Sequence, residues 1–155
     1  MEIISRSAGE TRKIGRGLAR CLKEGDILCL FGNLGSGKTV LAKGVAVGLG
    51  IKQDDIISPT FVLLRQYSGK IALNHFDLYR LEGVGEITSL GYEEFFYGKA
   101  ITIIEWPDRL GCLLPKDYLK LELFFRPGNK RLIKFSAIGA RYRGLMEKIR
   151  ENIGD

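Results

Sequence analysis

The stretch FGNLGSGKTV, residues 31–40, constrains the fold more than any other part of the sequence. It matches the pattern G-x-x-x-x-G-K-[ST], a glycine loop that holds phosphate groups. The apolar segment DILCLF at residues 26–31 predicts a buried strand, and TVLAKGVAVGLG at residues 39–50 predicts a helix. A strand, a glycine loop and a helix in this order are the context in which the motif binds a nucleotide. The stretch therefore predicts an α/β fold with a nucleotide bound where the strand ends.

The residue types of the loop suit phosphate binding. Glycines such as Gly35 and Gly37 allow backbone angles at which successive N–H groups converge on phosphate oxygens. The helix that follows adds the partial positive charge of its N-terminus. Lys38 can reach the β- and γ-phosphates, and the Thr39 hydroxyl can ligate Mg²⁺. The loop residues predicted to bind the nucleotide are Asn33, Leu34, Gly35, Ser36, Gly37, Lys38, Thr39 and Val40.

The rest of the chain alternates strand and helix patterns. Strands are predicted at residues 2–5, 61–67, 71–77 and 100–106, with two more around Pro127-Gly128-Asn129, and helices at residues 9–25, 86–98 and 140–153. Residues 61–77 are predicted to form a hairpin that turns at Ser68-Gly69-Lys70. This order predicts a three-layer α/β fold of the P-loop NTPase type, whose mixed sheet includes antiparallel hairpin strands. We predict a single domain over residues 1–155.

Composition gives no sign of a membrane protein or a secreted disulfide scaffold. No apolar run approaches membrane-spanning length, and the start of the chain lacks the apolar region of a signal peptide. The three cysteines form no C-x-x-C pair, so no disulfide framework or zinc site is expected. These features predict a cytoplasmic protein without a membrane segment.

The net charge of +6 is concentrated near the C-terminus. Residues 126–150 contain eight basic residues and one acidic residue, Glu147. Such a basic segment can contact RNA phosphates or an acidic protein surface, and it can equally be an ordinary solvated surface. The sequence leaves these interpretations open.

Two acidic residues end apolar strands and can complete a phosphate site. Glu105 closes AITIIE in the manner of a Walker B segment, where a carboxylate holds Mg²⁺ directly or through water. Asp77 closes IALNHFD, where it can bind the metal through water or orient the attacking water. The alternatives are a surface glutamate at a strand exit and an aspartate that caps the turn beginning at Leu78.

The roles of three neighbouring residues stay open. His75, the only histidine, can act as a general base or form a hydrogen bond within the structure. Arg80 can serve as an internal arginine finger or form a salt bridge. Trp106 can pack over the nucleotide, against a partner or in the core.

Four segments occur in a distinctive order along the chain. They are GNLGSGKT at residues 32–39, SPTF at 58–61, HFDLYRL at 75–81 and IEWPDRL at 104–110. Their order and approximate spacing resemble the bacterial TsaE (YjeE) family, the ATPase of tRNA threonylcarbamoyladenosine biosynthesis. The likeness covers nearly the whole chain, and the last three segments are far more specific than the glycine loop alone. The family's usual G-A-G-K-T is G-S-G-K-T here.

The resemblance implies an ATPase that depends on Mg²⁺ and supports formation of N6-threonylcarbamoyladenosine (t6A) at position 37 of tRNA. In that family the protein does not itself transfer the threonylcarbamoyl group. It binds the TsaB–TsaD complex, and its ATP hydrolysis supports repeated turnover by that complex. Hydrolysis is accordingly expected to be slow in the isolated protein and faster with the partners.

The resemblance also implies roles for individual residues. Lys38 would bind phosphates, while Thr39 and Glu105 would hold Mg²⁺. Asp77 falls on the family's essential aspartate, so the predicted catalytic residues are Lys38, Asp77 and Glu105. SPTF resembles a loop that senses the nucleotide state. Thr11 matches a threonine near the nucleotide, or it is simply a residue at the N-terminal end of a helix.

Other P-loop functions are alternatives. A small-molecule kinase would need an acceptor pocket and commonly an arginine-bearing lid, and no clear lid segment is apparent. A GTPase is disfavoured because the guanine-reading N-K-x-D is absent; Asn129-Lys130 is followed by Arg131 and Leu132. A nucleotide-dependent binding clamp, in which hydrolysis is incidental, is the third possibility.

Overall fold

Seven strands form one mixed sheet in the computed structural model, which describes residues 1–153. They are β1 (Glu2–Ser5), β2 (Ile27–Phe31), β3 (Leu64–Tyr67), β4 (Leu73–Asp77), β5 (Ile101–Glu105), β6 (Tyr118–Arg126) and β7 (Lys130–Ile138). Their order across the sheet is β1-β7-β6-β2-β5-β4-β3. The central strands β6, β2, β5 and β4 run parallel, whereas β1, β7 and β3 run antiparallel to their neighbours. The predicted mixed sheet with hairpin strands is confirmed.

Helices cover both faces of this sheet. They are α1 (Ala8–Ala19), α2 (Lys38–Gly48), α3 (Val84–Ser89), α4 (Tyr92–Phe96) and α5 (Arg141–Ile153), with 3-10 turns at Gln53–Asp55 and Pro107–Leu113. Leu28 and Leu30 of β2 share a core cluster with α1, α2 and α5, while Ile27 and Cys29 share another with α3 and α4. Successive side chains of a strand point to opposite faces, so the two clusters lie on opposite sides of the sheet. The predicted three-layer arrangement is confirmed.

The single helix predicted over residues 86–98 is wrong, because this segment forms two short helices, α3 and α4. Gly91 lies between them with φ of 73°, a left-handed conformation that glycine adopts without strain. The turn allows Ile87 of α3 and Phe96 of α4 to reach the same buried cluster. Apolar spacing alone did not reveal this break.

Two other predicted elements are shorter than expected. The helix predicted over residues 9–25 ends at Ala19, and the Asp26 side chain accepts a hydrogen bond from the Lys23 amide in the turn that follows. The strand predicted from Phe61 begins only at Leu64. Leu63 has φ of 66°, and this left-handed conformation interrupts the extended backbone.

The sheet topology brings the predicted site together at one edge. β2 ends at Phe31 and leads into the glycine loop, β4 ends at Asp77 and β5 ends at Glu105. Asp77 and Glu105 are register partners on neighbouring parallel strands. Because ligands of open α/β sheets bind beyond the carboxyl ends of the strands, this edge is where a nucleotide is expected.

Residues 154 and 155, the last two of the predicted single domain, lie outside the described residues. Among residues 1–153, no helix combines the length and the apolar character that a membrane crossing requires.

Candidate nucleotide-binding site

The backbone of the glycine loop takes conformations that other residues rarely adopt. Gly32 has φ of 147° and Gly37 has φ of 103°. A Cβ atom on Gly32 would lie only 2.5 Å from the carbonyl oxygen of Leu123, so this position requires glycine. Gly37 is the residue before α2, and no side chain caps the helix there. The N–H groups of the first helical turn, which have no partner within the helix, are suited to an anion.

Lys38, the first residue of α2, turns its amine back over the loop. Its Nζ donates hydrogen bonds to the carbonyl oxygens of Gly32 at 2.6 Å and Asn33 at 2.9 Å. The same atom lies 4.1 Å from the centroid of the Trp106 ring. Burial lowers the pKa of the Lys38 amine, and nearby carboxylates, led by Glu105, act in the opposite direction. The loop and Trp106 therefore hold this amine where a phosphate group would meet it.

The side chains of Thr39 and Glu105 are in direct contact. Thr39 Oγ1 donates a hydrogen bond to Glu105 Oε2 at 2.8 Å, and Glu105 Oε1 lies 2.7 Å from His75 Nε2. Glu105 and His75 are each only 2% exposed. Glu105 is therefore not a surface glutamate at a strand exit.

The oxygens of Thr39 and Glu105 fit a magnesium ion that shares its coordination with a nucleotide. Mg²⁺ is usually held by one or two protein oxygens, together with waters and phosphate oxygens. Within residues 1–153, no group of three or more His, Cys, Asp or Glu side chains is placed to hold a metal ion. A hydroxyl and a carboxylate do lie side by side at the end of the glycine loop. Thr39 and Glu105 are thus the residues that could hold Mg²⁺.

Asp77 connects the end of β4 with the SPTF segment. Its Oδ2 accepts a hydrogen bond from Thr60 Oγ1 at 2.8 Å, and its Oδ1 accepts one from the Tyr79 amide at 3.0 Å. Thr60 also hydrogen-bonds with the Ser58 hydroxyl at 2.8 Å. Asp77 therefore does cap the turn after β4. Its second oxygen simultaneously holds the SPTF segment against the site.

Trp106 lies at the cavity beside the glycine loop, whereas Arg80 contacts the SPTF segment. Trp106 lines the cavity, and its ring packs on Tyr79 with 5.0 Å between the ring centroids. The guanidinium carbon of Arg80 instead lies 4.4 Å from the centroid of the Phe61 ring. The structure therefore places Trp106 beside the nucleotide-binding edge and directs Arg80 to the SPTF segment.

A cavity of about 220 Å³ lies beside the glycine loop. Most of the predicted site residues line it: Leu34, Gly35, Gly37, Lys38, Thr39, Val40, Asp77 and Glu105. A larger cleft of about 540 Å³ lies against Ile27 and Tyr97 and contains none of the predicted site residues. Ile27 begins β2, so this cleft is at the edge of the sheet opposite the glycine loop. The smaller cavity is the candidate site because the loop, the lysine and the two carboxylates converge there.

Three predicted residues lie outside this cavity. Asn33 and Ser36 line an adjoining depression beside Phe125. Thr11 is fully buried in α1, where its hydroxyl lies 2.7 Å from Ser5 Oγ and 3.1 Å from the Ser7 carbonyl oxygen. Thr11 lines neither cavity, and its contact with a nucleotide stays a prediction.

Arg131 lines the cavity but was not singled out from the sequence. A Cβ atom on Gly37 would lie 2.8 Å from Arg131 Nε. This Nε is buried and has no hydrogen-bond partner within the described residues. The sequence placed Arg131 only in a basic segment; its position beside the loop follows from β7 pairing with β6, which in turn pairs with β2.

Comparisons with known proteins identify the family that this chain resembles. The family model described as "Threonylcarbamoyl adenosine biosynthesis protein TsaE" matches residues 5–133. The tRNA threonylcarbamoyladenosine biosynthesis protein TsaE of Treponema pallidum is 40% identical over 133 residues, which cover 85% of this chain and 98% of the relative. The protein of the same name from Bacillus subtilis is 38% identical over 141 residues, covering 90% of this chain and 87% of the relative.

A solved structure shows the same fold. The crystal structure of YdiB from Bacillus subtilis superposes with a TM-score of 0.85 at 33% identity. The match covers 97% of this chain and 94% of YdiB. The resemblance drawn from the four sequence segments is thereby confirmed, and the chain belongs to the TsaE family.

Proposed function

We propose that this chain binds and hydrolyses ATP with Mg²⁺ and thereby supports t6A formation in tRNA. The observation that carries the proposal is the contact between the Thr39 hydroxyl and the buried Glu105 carboxylate beside the glycine loop. The matching family model and the curated relatives are described as proteins of threonylcarbamoyladenosine biosynthesis. Site chemistry and family together support a nucleotide-driven role in this modification.

Each residue of the cavity has a separate role in this proposal. The loop amides and Lys38 bind the phosphates, while Thr39 and Glu105 hold Mg²⁺. When bound, Mg²⁺ neutralises charge on the phosphate oxygens. Asp77 orients the attacking water, a role supported by its buried position at the end of the strand next to that of Glu105.

The proposed partner is a TsaB–TsaD complex that contacts the SPTF segment. Apolar side chains are exposed in and directly beside this segment: Ile57 is 55%, Phe61 80% and Val62 47% exposed. Thr60, within the same segment, donates its hydroxyl hydrogen bond to Asp77. A partner that covers Phe61 would therefore act on Asp77 through Thr60, and on Arg80 through the contact between its guanidinium group and the Phe61 ring.

We expect slow ATP hydrolysis by the isolated protein and acceleration of at least about tenfold by TsaB–TsaD, a barrier change of about 1.4 kcal/mol. Phe61→Ala should remove most of this acceleration while leaving MgATP affinity unchanged. Tyr97→Ala is the matched control, since Tyr97 is 62% exposed but lies at the opposite cleft. Hydrolysis is measured as phosphate release. Nucleotide binding is measured by fluorescence of the only tryptophan, Trp106.

The possible outcomes distinguish the competing functions. The proposal is wrong if the partners leave hydrolysis unchanged and repeated tRNA modification proceeds equally well without this protein. Rapid phosphorylation of a small metabolite by the protein alone would support the kinase. Nucleotide-dependent partner binding without hydrolysis would support the clamp.

Arg131→Gln is expected to weaken ATP and ADP binding by about tenfold. The physical reason is the loss of a charged donor next to the loop, since a hydrogen bond to a charged group contributes about 1.5–3 kcal/mol. Arg143→Gln is the control, because Arg143 belongs to the same basic segment but is exposed on α5. Titration calorimetry with both variants tests the role. Equal affinity of Arg131→Gln and the parent would remove Arg131 from the site.

The basic segment does not form a single uninterrupted surface. Arg131 lies beside the glycine loop, Lys134 pairs with Glu2 at 2.8 Å, and Arg141 pairs with Asp26 at 3.0 Å. Several of its charges are thus engaged within the protein. Direct contact of this segment with tRNA stays a prediction, as does the cytoplasmic location.

A further inference from the structure

The only histidine of the chain lies next to the carboxylate proposed to hold the metal. His75 is on β4 and Glu105 ends β5, the neighbouring parallel strand. His75 Nε2 lies 2.7 Å from Glu105 Oε1, and both residues are 2% exposed. A carboxylate oxygen can only accept a hydrogen bond, so an N–H group on Nε2 would be the donor in this contact.

The two oxygens of Glu105 have different partners. Oε1 contacts His75 Nε2, whereas Oε2 accepts the hydrogen bond from the Thr39 hydroxyl. The two contacts lie on different oxygens, so together they resist partial rotation of the carboxylate about its terminal bond. They therefore fix the plane of the carboxylate, with one of its two equivalent oxygens beside Thr39.

We propose that His75 is a positioning residue that aims Glu105 Oε2 at the metal site. The inference deepens the proposed function and rests on it, since Thr39 and Glu105 are taken as the residues that hold Mg²⁺. Donors that hold a metal-binding carboxylate commonly affect metal affinity by about 10- to 100-fold when they are removed. His75 does not line the cavity, so in this arrangement it acts on the metal site through Glu105.

The hydrogen bond itself can be tested without any enzymatic activity. Long-range proton–nitrogen NMR spectra of the nucleotide-free protein contain one histidine side chain, so assignment is direct. We expect Nε2 to carry a proton and its resonance to change in Glu105→Gln, while Glu147→Gln on the exposed surface of α5 leaves it unchanged. An Nε2 atom without a proton, or one insensitive to Glu105→Gln, would overturn the inference.

The positioning role is tested by separating metal binding from nucleotide binding. His75→Leu replaces the imidazole with an apolar side chain of roughly similar size and so removes the donor, whereas His75→Gln keeps an N–H group. We expect the Mg²⁺ concentration needed for half-maximal stabilisation of bound ADP to rise about 10- to 100-fold in His75→Leu. Affinity for ADP without Mg²⁺ should stay unchanged, and His75→Gln should restore most of the Mg²⁺ response.

The outcomes separate this inference from the proposed function. If the parent needs Mg²⁺ and His75→Leu needs no more of it, the positioning role alone is wrong. If the parent shows no Mg²⁺-dependent nucleotide binding, the proposed function fails, and the positioning role fails with it. Thermal melting checks folding. If His75→Leu does not fold, the NMR result and the Mg²⁺ response of His75→Gln decide the inference. The positioning role is then wrong if Nε2 carries no proton. It is also wrong if His75→Gln loses as much Mg²⁺ affinity as Glu105→Gln.

Discussion

Lys38→Ala is expected to weaken MgATP binding by at least roughly a hundredfold, about 2.8 kcal/mol, while the protein remains folded. Lys38 Nζ is the cation held directly over the glycine loop, where the carbonyl oxygens of Gly32 and Asn33 and the ring of Trp106 fix its position. Alanine removes the charge that a phosphate would meet. The amides of the loop remain but cannot replace it.

The matched control for this prediction is Lys43→Ala. Lys43 lies on the same helix, α2, but lines a different cavity beside Arg12 and Gln53. Titration calorimetry should show parent-like affinity for Lys43→Ala and a severe loss for Lys38→Ala. Thermal melting should show both variants folded. Unchanged MgATP affinity in Lys38→Ala would remove this lysine from the site.

The elements around the loop could be predicted because their signals are local. The apolar run before Gly32, the glycine spacing and the helix pattern after Thr39 lie within a short stretch of chain. Asp77 and Glu105 could be added because each ends an apolar run. Once both runs become parallel strands, their carboxyl ends must meet at one edge of the sheet.

Other contacts depend on the order of strands across the sheet, which no local pattern contains. Arg131 reaches Gly37 because β7 lies two strands from β2. Thr60 reaches Asp77 because Leu63 turns the chain before β3, where the sequence predicted a continuous strand. The bond between His75 and Glu105 needs the register of β4 against β5. Each of these three contacts forms only when segments that are distant in the sequence pack together.

The break at Gly91 could not be predicted for a different reason, because here the local sequence pattern is itself ambiguous. The residues on both sides are compatible with one amphipathic helix, and a glycine within such a pattern is tolerated at a cost of about 1 kcal/mol. The structure uses the left-handed freedom of Gly91 to redirect α4. Burial of Phe96, which is 1% exposed, stabilises the two-helix arrangement.

Loss of the charge of Glu105 should affect both metal binding and catalysis, whereas loss of the charge of Asp77 should affect catalysis alone. Glu105→Gln and Asp77→Asn are each expected to slow ATP hydrolysis with partners at least tenfold, about 1.4 kcal/mol in the barrier. Glu105→Gln should also raise the Mg²⁺ requirement, because an amide oxygen is a weaker ligand than a carboxylate. Asp77→Asn should leave MgATP affinity nearly unchanged, because its proposed role concerns the attacking water.

The amide variants are chosen because both carboxylates are buried and hydrogen-bonded. Glu105 is 2% and Asp77 4% exposed, so truncation to alanine would remove a hydrogen-bond acceptor from the half-buried hydroxyls of Thr39 and Thr60. Amides keep the size and an acceptor oxygen, which limits the change in stability. Glu147→Gln on α5 is the control for loss of a single negative charge. Parent-like hydrolysis by either site variant under partner stimulation would assign that residue a structural role only, since its charge would then contribute nothing to phosphoryl transfer.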